Sequence, residues 1–257
     1  MSWESKTDYC GLDNSTGDNA PSTILVKTST LNKSGQYLEK HSRDGAYIAA
    51  GCKAFGERSA PSNTYTIAGT ATISSPSSEG LVCLGKVTPI NGKNYALQSI
   101  SWTTGADAEP TLSATAAEVA GPTRNQFKVP QFSILPDHIA QIPSFQFAGE
   151  QNATPAFSLP TANNANAGCE LLECGGEISC SVKTNDKNGA PKAHDVTNAH
   201  IVVNITIAQY GSAEPTVTPA SGWNVSSPLT CDDPDSDFPT WSVSISRPLA
   251  KTRSAQS

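Results

Sequence analysis

Apolar and polar residues alternate along two stretches of the chain. Between positions 64 and 73 the odd-numbered residues are Tyr, Ile, Gly, Ala and Ile, and four of the five even-numbered residues are Thr. Farther on, Ile201, Val203, Ile205 and Ile207 alternate with Val202, Asn204 and Thr206. A period of two residues is that of a β-strand with one buried and one exposed face. We therefore predict a half-buried strand in each stretch.

Two Asn-Gly pairs separate apolar runs. Asn91-Gly92 lies between the runs 81–90 and 93–104, and Asn188-Gly189 precedes a Thr-containing run in the second half of the chain. The two-residue type I′ turn needs positive φ at both central residues, and Asn-Gly is the pair that adopts it most readily. Each pair therefore predicts a β-hairpin.

The remaining stretches predict short or irregular elements. Apolar runs at 24–26, 37–38 and 47–50 predict two or three short strands behind a polar N-terminal arm. The stretch 136–142 predicts one short helix with Asp137 as its N-cap. The stretch 151–168, rich in Asn and Ala, is predicted to be a loop or linker.

Three motifs occur twice and in the same order. Cys-x2-Lys-x4-Asn-Gly begins at Cys83 and again at Cys180, an offset of 97 residues. Ala-Glu-Pro-Thr begins at Ala108 and again at Ala213, an offset of 105, and each copy is interpreted as a turn that leads into the next strand. A third, looser match relates 129–134 to 238–243.

Collinear matches of this kind favour a tandem duplication, and chance similarity between Thr-rich strands is the alternative. We predict an all-β fold of tandemly duplicated β-sandwich or half-barrel units, with long loops and at most one or two short helices. The predicted organisation is an N-terminal arm with short strands (1–60), a first β unit (61–135), a short helix and linker (136–167), and a second β unit with a C-terminal tail (168–257).

Composition supports the β prediction. The 257 residues include 31 Ser, 25 Thr, 19 Gly and 18 Pro, and only 16% are charged, against a usual share of about 25%. Ser and Thr compete with the helical backbone for hydrogen bonds, and Gly and Pro interrupt helices, so an all-helical fold or a coiled coil is excluded. The length suffices for one large or two small domains.

Charge and hydropathy limit the classes of partner. The net charge is −6 and there is no run of Lys or Arg, so sequence-specific nucleic-acid binding is not expected. No apolar stretch approaches the roughly 18 residues of a membrane-spanning helix, and the N-terminus lacks the cationic and apolar parts of a signal peptide. We therefore expect no membrane span, and synthesis in the cytoplasm.

The seven cysteines are predicted to be reduced thiols, since their number is odd and no export signal is present. A disulfide within the Cys169, Cys174 and Cys180 group is the alternative. Cys174 and Cys180 also have the spacing to His194 and His200 that approaches a two-Cys, two-His zinc site. A hairpin in this region, rather than a helix that presents both histidines, argues against zinc.

Other candidate sites are weaker. The acidic stretch Asp232 to Asp237 begins like a calcium loop but lacks the Gly at its sixth position. A carboxylate pair such as Glu170 with Glu173 or Glu177 could act in hydrolysis, but it does not differ from ordinary surface acids. His194 and Asp195 are adjacent, and neighbours along a chain rarely face one another.

The chain has no nucleophile elbow, HExxH motif or phosphate-binding loop. We predict a protein that is not an enzyme, and we assign no catalytic, cofactor-binding or metal-binding residue and no cofactor. The chain has four tryptophans, Trp3, Trp102, Trp223 and Trp241. Trp102 and Trp241 lie in strand patterns typical of a core or an interface.

The stretch 83–112 contains a strand, an Asn-Gly hairpin, a second strand and a Gly-x2-Ala-Glu-Pro-Thr turn. In this it resembles the Thr- and Ser-rich β-domains of tailed-bacteriophage virion proteins, especially tail-tube and baseplate-hub components. The resemblance implies a β-sandwich or half-barrel subunit of a phage virion or phage-like particle. Such a subunit would form homo-oligomers by pairing sheet edges with copies of itself, would contact other virion proteins, and would be assembled in the host cytoplasm.

A carbohydrate-binding or adhesive surface module is the alternative function. It would use Trp223, Trp241 and the acidic stretch 232–237.

Overall fold

The computed structural model describes residues 25–32, 37–41, 47–52, 62–68, 71–73, 83–90, 93–105, 108–119, 122–134, 139–159, 169–187, 190–209, 214–232 and 239–252. These residues form strands, turns and irregular segments, and none of them is helical. The all-β prediction is therefore confirmed. Among the described residues there is no helix with the length and apolar character that crossing a membrane requires.

The strands are, in chain order, β1 (Leu25–Asn32), β2 (Tyr37–His41), β3 (Tyr47–Cys52), β4 (Ser62–Ala68), β5 (Ala71–Ile73), β6 (Cys83–Leu84), β7 (Val87–Ile90), β8 (Lys93–Gly105), β9 (Ala108–Glu118), β10 (Gln126–Lys128), β11 (Gln131–Ile134), β12 (Ser144–Gln146), β13 (Thr154–Pro155), β14 (Phe157–Ser158), β15 (Cys169–Lys187), β16 (Ala190–Gln209), β17 (Thr218–Pro219), β18 (Asn224–Cys231), β19 (Thr240–Pro248) and β20 (Lys251–Thr252). The strands predicted near the N-terminus correspond to β1, β2 and β3. The single strand predicted over 64–73 is instead two strands, β4 and β5, which belong to different sheets.

Nine of these strands form the main sheet, in the order β1-β4-β9-β8-β15-β16-β19-β18, with β7 also paired to β8. Every pairing in it is antiparallel. Strands from both predicted β units therefore share one sheet, because β8 is hydrogen-bonded to β15. The smaller sheets are β20-β10-β6, β13-β12-β11-β5, β14-β17 and β2-β3.

Both predicted hairpins are present. The last pair before the first Asn-Gly is Ile90 with Lys93, and the last pair before the second is Lys187 with Ala190. Two residues therefore connect the strands in each case, as a type I′ or II′ turn requires. The second hairpin is the longest element of the fold, with strands of 19 and 20 residues.

The apolar side of the main sheet, called here the inner face, forms the core. The predicted alternation in β16 is confirmed, since Ile201, Val203, Ile205 and Ile207 are at most 1% exposed. Aromatic side chains from the β5-β11-β12-β13 sheet cover this face: the ring of Phe132 lies 5.0 Å from that of Trp102, and Phe145 lies 5.8 Å from it. The result is a sandwich-like packing of a small sheet on a large one.

Gly176 on β15 is the closest approach within this packing. A Cβ there would collide with the carbonyl oxygen of Val202 and with the ring of Trp102. The indole lies directly over the glycine, so the sheet has no room for a side chain at this position. The cross-strand pairing of Gly176 with Trp102 confirms that the glycine makes space for the large ring.

Two local predictions are corrected. Residues 139–142 of the predicted helix are not helical, while 136–138 lie outside the described residues. Ala-Glu-Pro-Thr is not a turn in its first occurrence, because Ala108 starts β9 and pairs with Gly105, the last residue of β8. In its second occurrence, Glu214 to Val217 belong to no strand and precede β17.

The tandem duplication is not confirmed. Only the Asn-Gly hairpin has the same local structure in both proposed copies. The Ala-Glu-Pro-Thr motif differs as described, and the third motif lies in β11 of the four-stranded sheet in one copy but overlaps β19 of the main sheet in the other.

Candidate functional site

The side of the main sheet opposite the inner face is called here the open face. Its side chains are exposed or half-buried, and most carry hydroxyl or amide groups. Cross-strand pairs arrange them in rows: Ser101, Glu177, Val202, Ser246 and Asn224; Thr103, Gly175, Asn204, Ser244 and Ser227; Gly105, Glu173, Thr206, Ser242 and Thr230. The backbone register continues the first row through Ser113, Thr66 and Thr28 to the far edge of the sheet.

Hydrogen bonds within the open face join neighbouring strands. Ser244 Oγ donates to Asn204 Oδ1 over 2.7 Å, and Ser242 Oγ donates to the carboxylate of Asp232. Glu173 and Glu177 project from β15 among these uncharged side chains. Within the described residues no basic side chain forms an ion pair with either glutamate. The open face is therefore polar, weakly acidic and built of small side chains.

On the inner face the buried Thr104 has hydrogen-bond partners, whereas the buried indole Nε1 of Trp241, which pairs with Ile207, has none among the described residues. Thr104, 3% exposed, donates from Oγ1 to the carbonyl oxygen of Cys174 over 2.9 Å and accepts from the backbone N–H of Gln141 over 3.1 Å. Burial raises the pKa of the Cys174 thiol from 9.0 to about 12, with a smaller contribution from the charge of Glu173. Burial likewise raises the pKa of Cys180 to about 12. Both thiols therefore stay protonated at neutral pH.

The edge strand β18 differs from the rest of the sheet. It pairs only with β19 in the described structure, and its residues are exposed except for two that are half-buried. Its ladder is irregular between Val225 and Ser227 and between Ser227 and Thr230, a stretch that contains Pro228. A proline and bulges are devices by which natural sheets limit pairing at an edge, and here they affect the C-terminal half of the strand.

The apolar row of the inner face extends to this edge. Val225 pairs with Ile245, and Ile245 pairs with Val203. Ile245 and Val203 are fully buried, whereas Val225 is 55% exposed. The small sheets that cover the core therefore stop short of β18. The edge presents both unpaired backbone groups and an exposed apolar side chain, the two features that favour addition of another strand.

A groove of about 410 Å³ lies away from this edge, beside the first hairpin. It is lined by Lys86, Val87, Asn94, Pro122, Thr123 and Gln126. The Thr123 hydroxyl donates to the carbonyl oxygen of Gly85, so it serves the local fold.

The four residues of the candidate zinc site are not brought together. Cys174 and Cys180 lie six residues apart on β15, about 20 Å at a strand rise of about 3.3 Å. His200 pairs with Ser179, and its Nδ1 contacts the carbonyl oxygen of Asn198, while His194 is farther along, opposite Thr184. A zinc ion needs ligand distances near 2.0–2.3 Å. Within the described residues no three His, Cys, Asp or Glu side chains are grouped to hold a metal ion.

The other cysteine prediction is also settled in part. Cys83, Cys169, Cys174, Cys180 and Cys231 are free thiols, so the alternative disulfide within 169–180 is wrong. Cys10 and the side chain of Cys52 lie outside the described residues.

The acidic stretch is described only at its start. Asp232 is exposed and accepts the hydrogen bond from Ser242, whereas Asp233 to Asp237 lie outside the described residues. The calcium hypothesis therefore stays a prediction.

Of the two tryptophans that the carbohydrate alternative would use, Trp223 and Trp241, the first does not lie at the surface. Trp223 is only 6% exposed, and its ring lies 5.4 Å from that of Phe145, so this residue belongs to the core. Trp102 is in the core as predicted, and Trp241 on β19 is half-buried. Trp3 lies outside the described residues. The carbohydrate alternative stays a prediction that rests on Trp241 and the acidic stretch.

The candidate hydrolytic pairs have geometries that do not favour catalysis. Glu170 lies three residues from Glu173 and seven from Glu177 on β15, about 10 Å and about 23 Å at a strand rise of about 3.3 Å, whereas glycosidases hold their two carboxyl groups roughly 5–9.5 Å apart. His194 is buried, and its backbone pairs with the segment at Pro122 and Arg124. The neighbouring Asp195 lies 3.8 Å from the Arg124 guanidinium.

Reasoning from sequence missed the open face. Its signal was available in β19, where Ser242, Ser244 and Ser246 alternate with Val243 and Ile245. Comparison with known proteins finds no family model that matches the chain and no curated protein with significant similarity to it.

Proposed function

We propose that this protein is a structural subunit that assembles with copies of itself through the edges of its main sheet. The observation that carries the proposal is that the edge strands of the main sheet, β1 and β18, each have a strand partner on one side only among the described residues. Within the described structure β1 pairs only with β4 and β18 only with β19, so the sheet does not close on itself. Unpaired strand edges are templates for pairing with another chain.

The exposed Val225 supports the same conclusion. Full burial of an exposed valine side chain contributes roughly 1.5–3 kcal/mol, and Val225, which is 55% exposed, has about half of that left to gain. At β18 this side chain lies beside the free backbone groups, so one added strand would cover both.

The resemblance of 83–112 to phage tail domains indicates the kind of assembly. We place the subunit in the tail of a phage virion or phage-like particle, as a tube or baseplate component assembled in the host cytoplasm. Its partners are copies of itself and other virion proteins, and its role is not enzymatic.

Light scattering after size exclusion, over a wide concentration range, together with negative-stain electron microscopy tests the proposal. We expect oligomers that grow with concentration and rings or tubes in the images. Val225→Lys, which places a charge at the edge, should shift the protein towards monomer. Thr103→Lys, at another exposed position on the open face away from the edges, should assemble like the wild type. A monodisperse monomer at every concentration would contradict the proposal.

A further inference from the structure

The main sheet has an even number of strands along its path, and this relates its two edges. Eight strands lie in the order from β1 to β18, and each is antiparallel to the next. The two edge strands therefore run in opposite directions. When a second copy is placed beside the first in the same orientation, its β1 is antiparallel to the first copy's β18, which continues the alternation.

The rows of the sheet also continue across such a junction. One row runs without interruption from Asn224 to Thr28, and the apolar row runs from Val225 through Ile245, Val203, Gly176, Trp102, Leu112 and Ile67 to Val26. A slip of one residue in a strand exchanges its two faces. A register that joins the open-face rows keeps the open face on the same side in both copies.

The irregularities of the two edges match in length. β18 has its register shift between Val225 and Ser227, and β1 has one between Val26 and Thr28. The open-face row on the other side of the apolar row begins at Ser227, and its cross-strand pairs lead through the sheet to Leu25. Each edge thus spans the same interval with four residues, 224–227 against 25–28. The extra residue is Ser226 on β18 and Lys27 on β1, and the two fall in neighbouring intervals. A regular pairing of the four residues therefore sets Val225 opposite Lys27 between the two matched ends.

We infer that β18 of one molecule pairs antiparallel with β1 of a second copy, with Asn224 opposite Thr28 and Ser227 opposite Leu25. This seam deepens the proposed function and rests on it. Pro228 ends the pairing on β18, so each seam is short and weak alone. A head-to-tail arrangement satisfies both edges of every subunit and leads to rings or filaments, whereas pairing of like edges stops at a dimer.

Cysteine crosslinking between separate molecules tests the seam. Purified Asn224→Cys and Thr28→Cys proteins are mixed and mildly oxidised, and each protein alone and the wild type, which has native cysteines, are treated identically. Directly opposed residues in an antiparallel pair have Cβ separations that suit a disulfide. We expect a crosslinked dimer as the main new product of the mixture, several-fold above the single proteins. Ser29→Cys in place of Thr28→Cys is the matched control, since it moves the thiol one residue along β1.

The outcomes separate the seam from the proposed function. Crosslinking of Asn224→Cys alone would show that like edges pair, and would overturn the seam while self-assembly stands. Assembly in light scattering without a crosslink in the mixture would overturn this register. A monomer at all concentrations would overturn both the seam and the proposed function.

Discussion

The inner and open faces of the main sheet are made by the same strands, yet side-chain packing constrains the residues of the inner face far more than those of the open face. Ile178 on the inner face of β15 is fully buried, whereas its neighbour Glu177 on the open face is exposed. On the inner face, volume decides which residue fits, as the indole of Trp102 above Gly176 shows. On the open face, small hydroxyl side chains fill the rows with little constraint. Stability is thus expected to reside in one face, and the other is left free for contacts.

Gly176→Ala is the most severe test of this contrast. The added methyl group would meet a backbone carbonyl and a buried ring, neither of which can move freely. We expect a loss of about 4 kcal/mol in the free energy of unfolding, measured by urea denaturation and tryptophan fluorescence. Gly105→Ala is the matched control, because its methyl group would lie 3.6 Å from the nearest atom, the Leu172 carbonyl oxygen. Equal stability of the two variants would contradict the packing described.

Neighbouring substitutions on β15 compare the faces directly. Ile178→Ala should lower the free energy of unfolding by about 3 kcal/mol, since it leaves a cavity in the core. Glu177→Ala should change it by less than about 0.5 kcal/mol, since it removes an exposed carboxylate. The same denaturation experiment measures both. A loss at Glu177 as large as that at Ile178 would show that the open face is covered within the monomer.

The buried thiols give an effect that depends on pH. The unfolded chain releases thiol protons from pH 9.0, but Cys174 and Cys180 in the fold keep theirs up to about 12. Their contribution to stability is therefore complete below pH 9 and is lost as the pH rises from 9 towards 12, by at most about 1.4 kcal/mol per pH unit for each thiol.

Cys174→Ala should make this alkaline loss shallower in urea denaturation between pH 8.5 and 10.5. Cys231→Ala, on the edge strand, serves as the control and should leave the slope of the wild type unchanged. An identical slope in all three proteins would refute the role of the inner-face thiol.

Local patterns predicted the local structure well. The alternation at 201–207 predicted which face of β16 is buried, because a strand has a period of two residues whatever its neighbours are. Asn-Gly predicted both hairpins, because the turn is determined by backbone conformations of the two residues themselves. The helix at 136–142 failed in its described part, where Gln141 donates its backbone N–H to the Thr104 hydroxyl. That contact with a distant strand replaced the bonding within a helix.

Relationships between distant residues could not be predicted. No local signal indicates that β8 pairs with β15, or that Trp223 packs on Phe145. The spacing of Cys174, Cys180, His194 and His200 suggested a zinc site, but in an extended strand this spacing separates the ligands along the sheet. The free edge at β18 likewise depends on the strand order, which local patterns do not contain.

The adjacency of β8 and β15 also has a consequence for synthesis on the ribosome. β8 is complete once residue 105 has been made, but its partner residues 173–179 follow only after the whole intervening segment. Until then β8 is an unpaired edge on this side, and Ile100 and Trp102 lack their partner residues on β15. Pairings between residues this distant along the chain form slowly, and the partly folded intermediates are prone to aggregate. The nascent chain is therefore expected to expose apolar strand surface until β15 has been made.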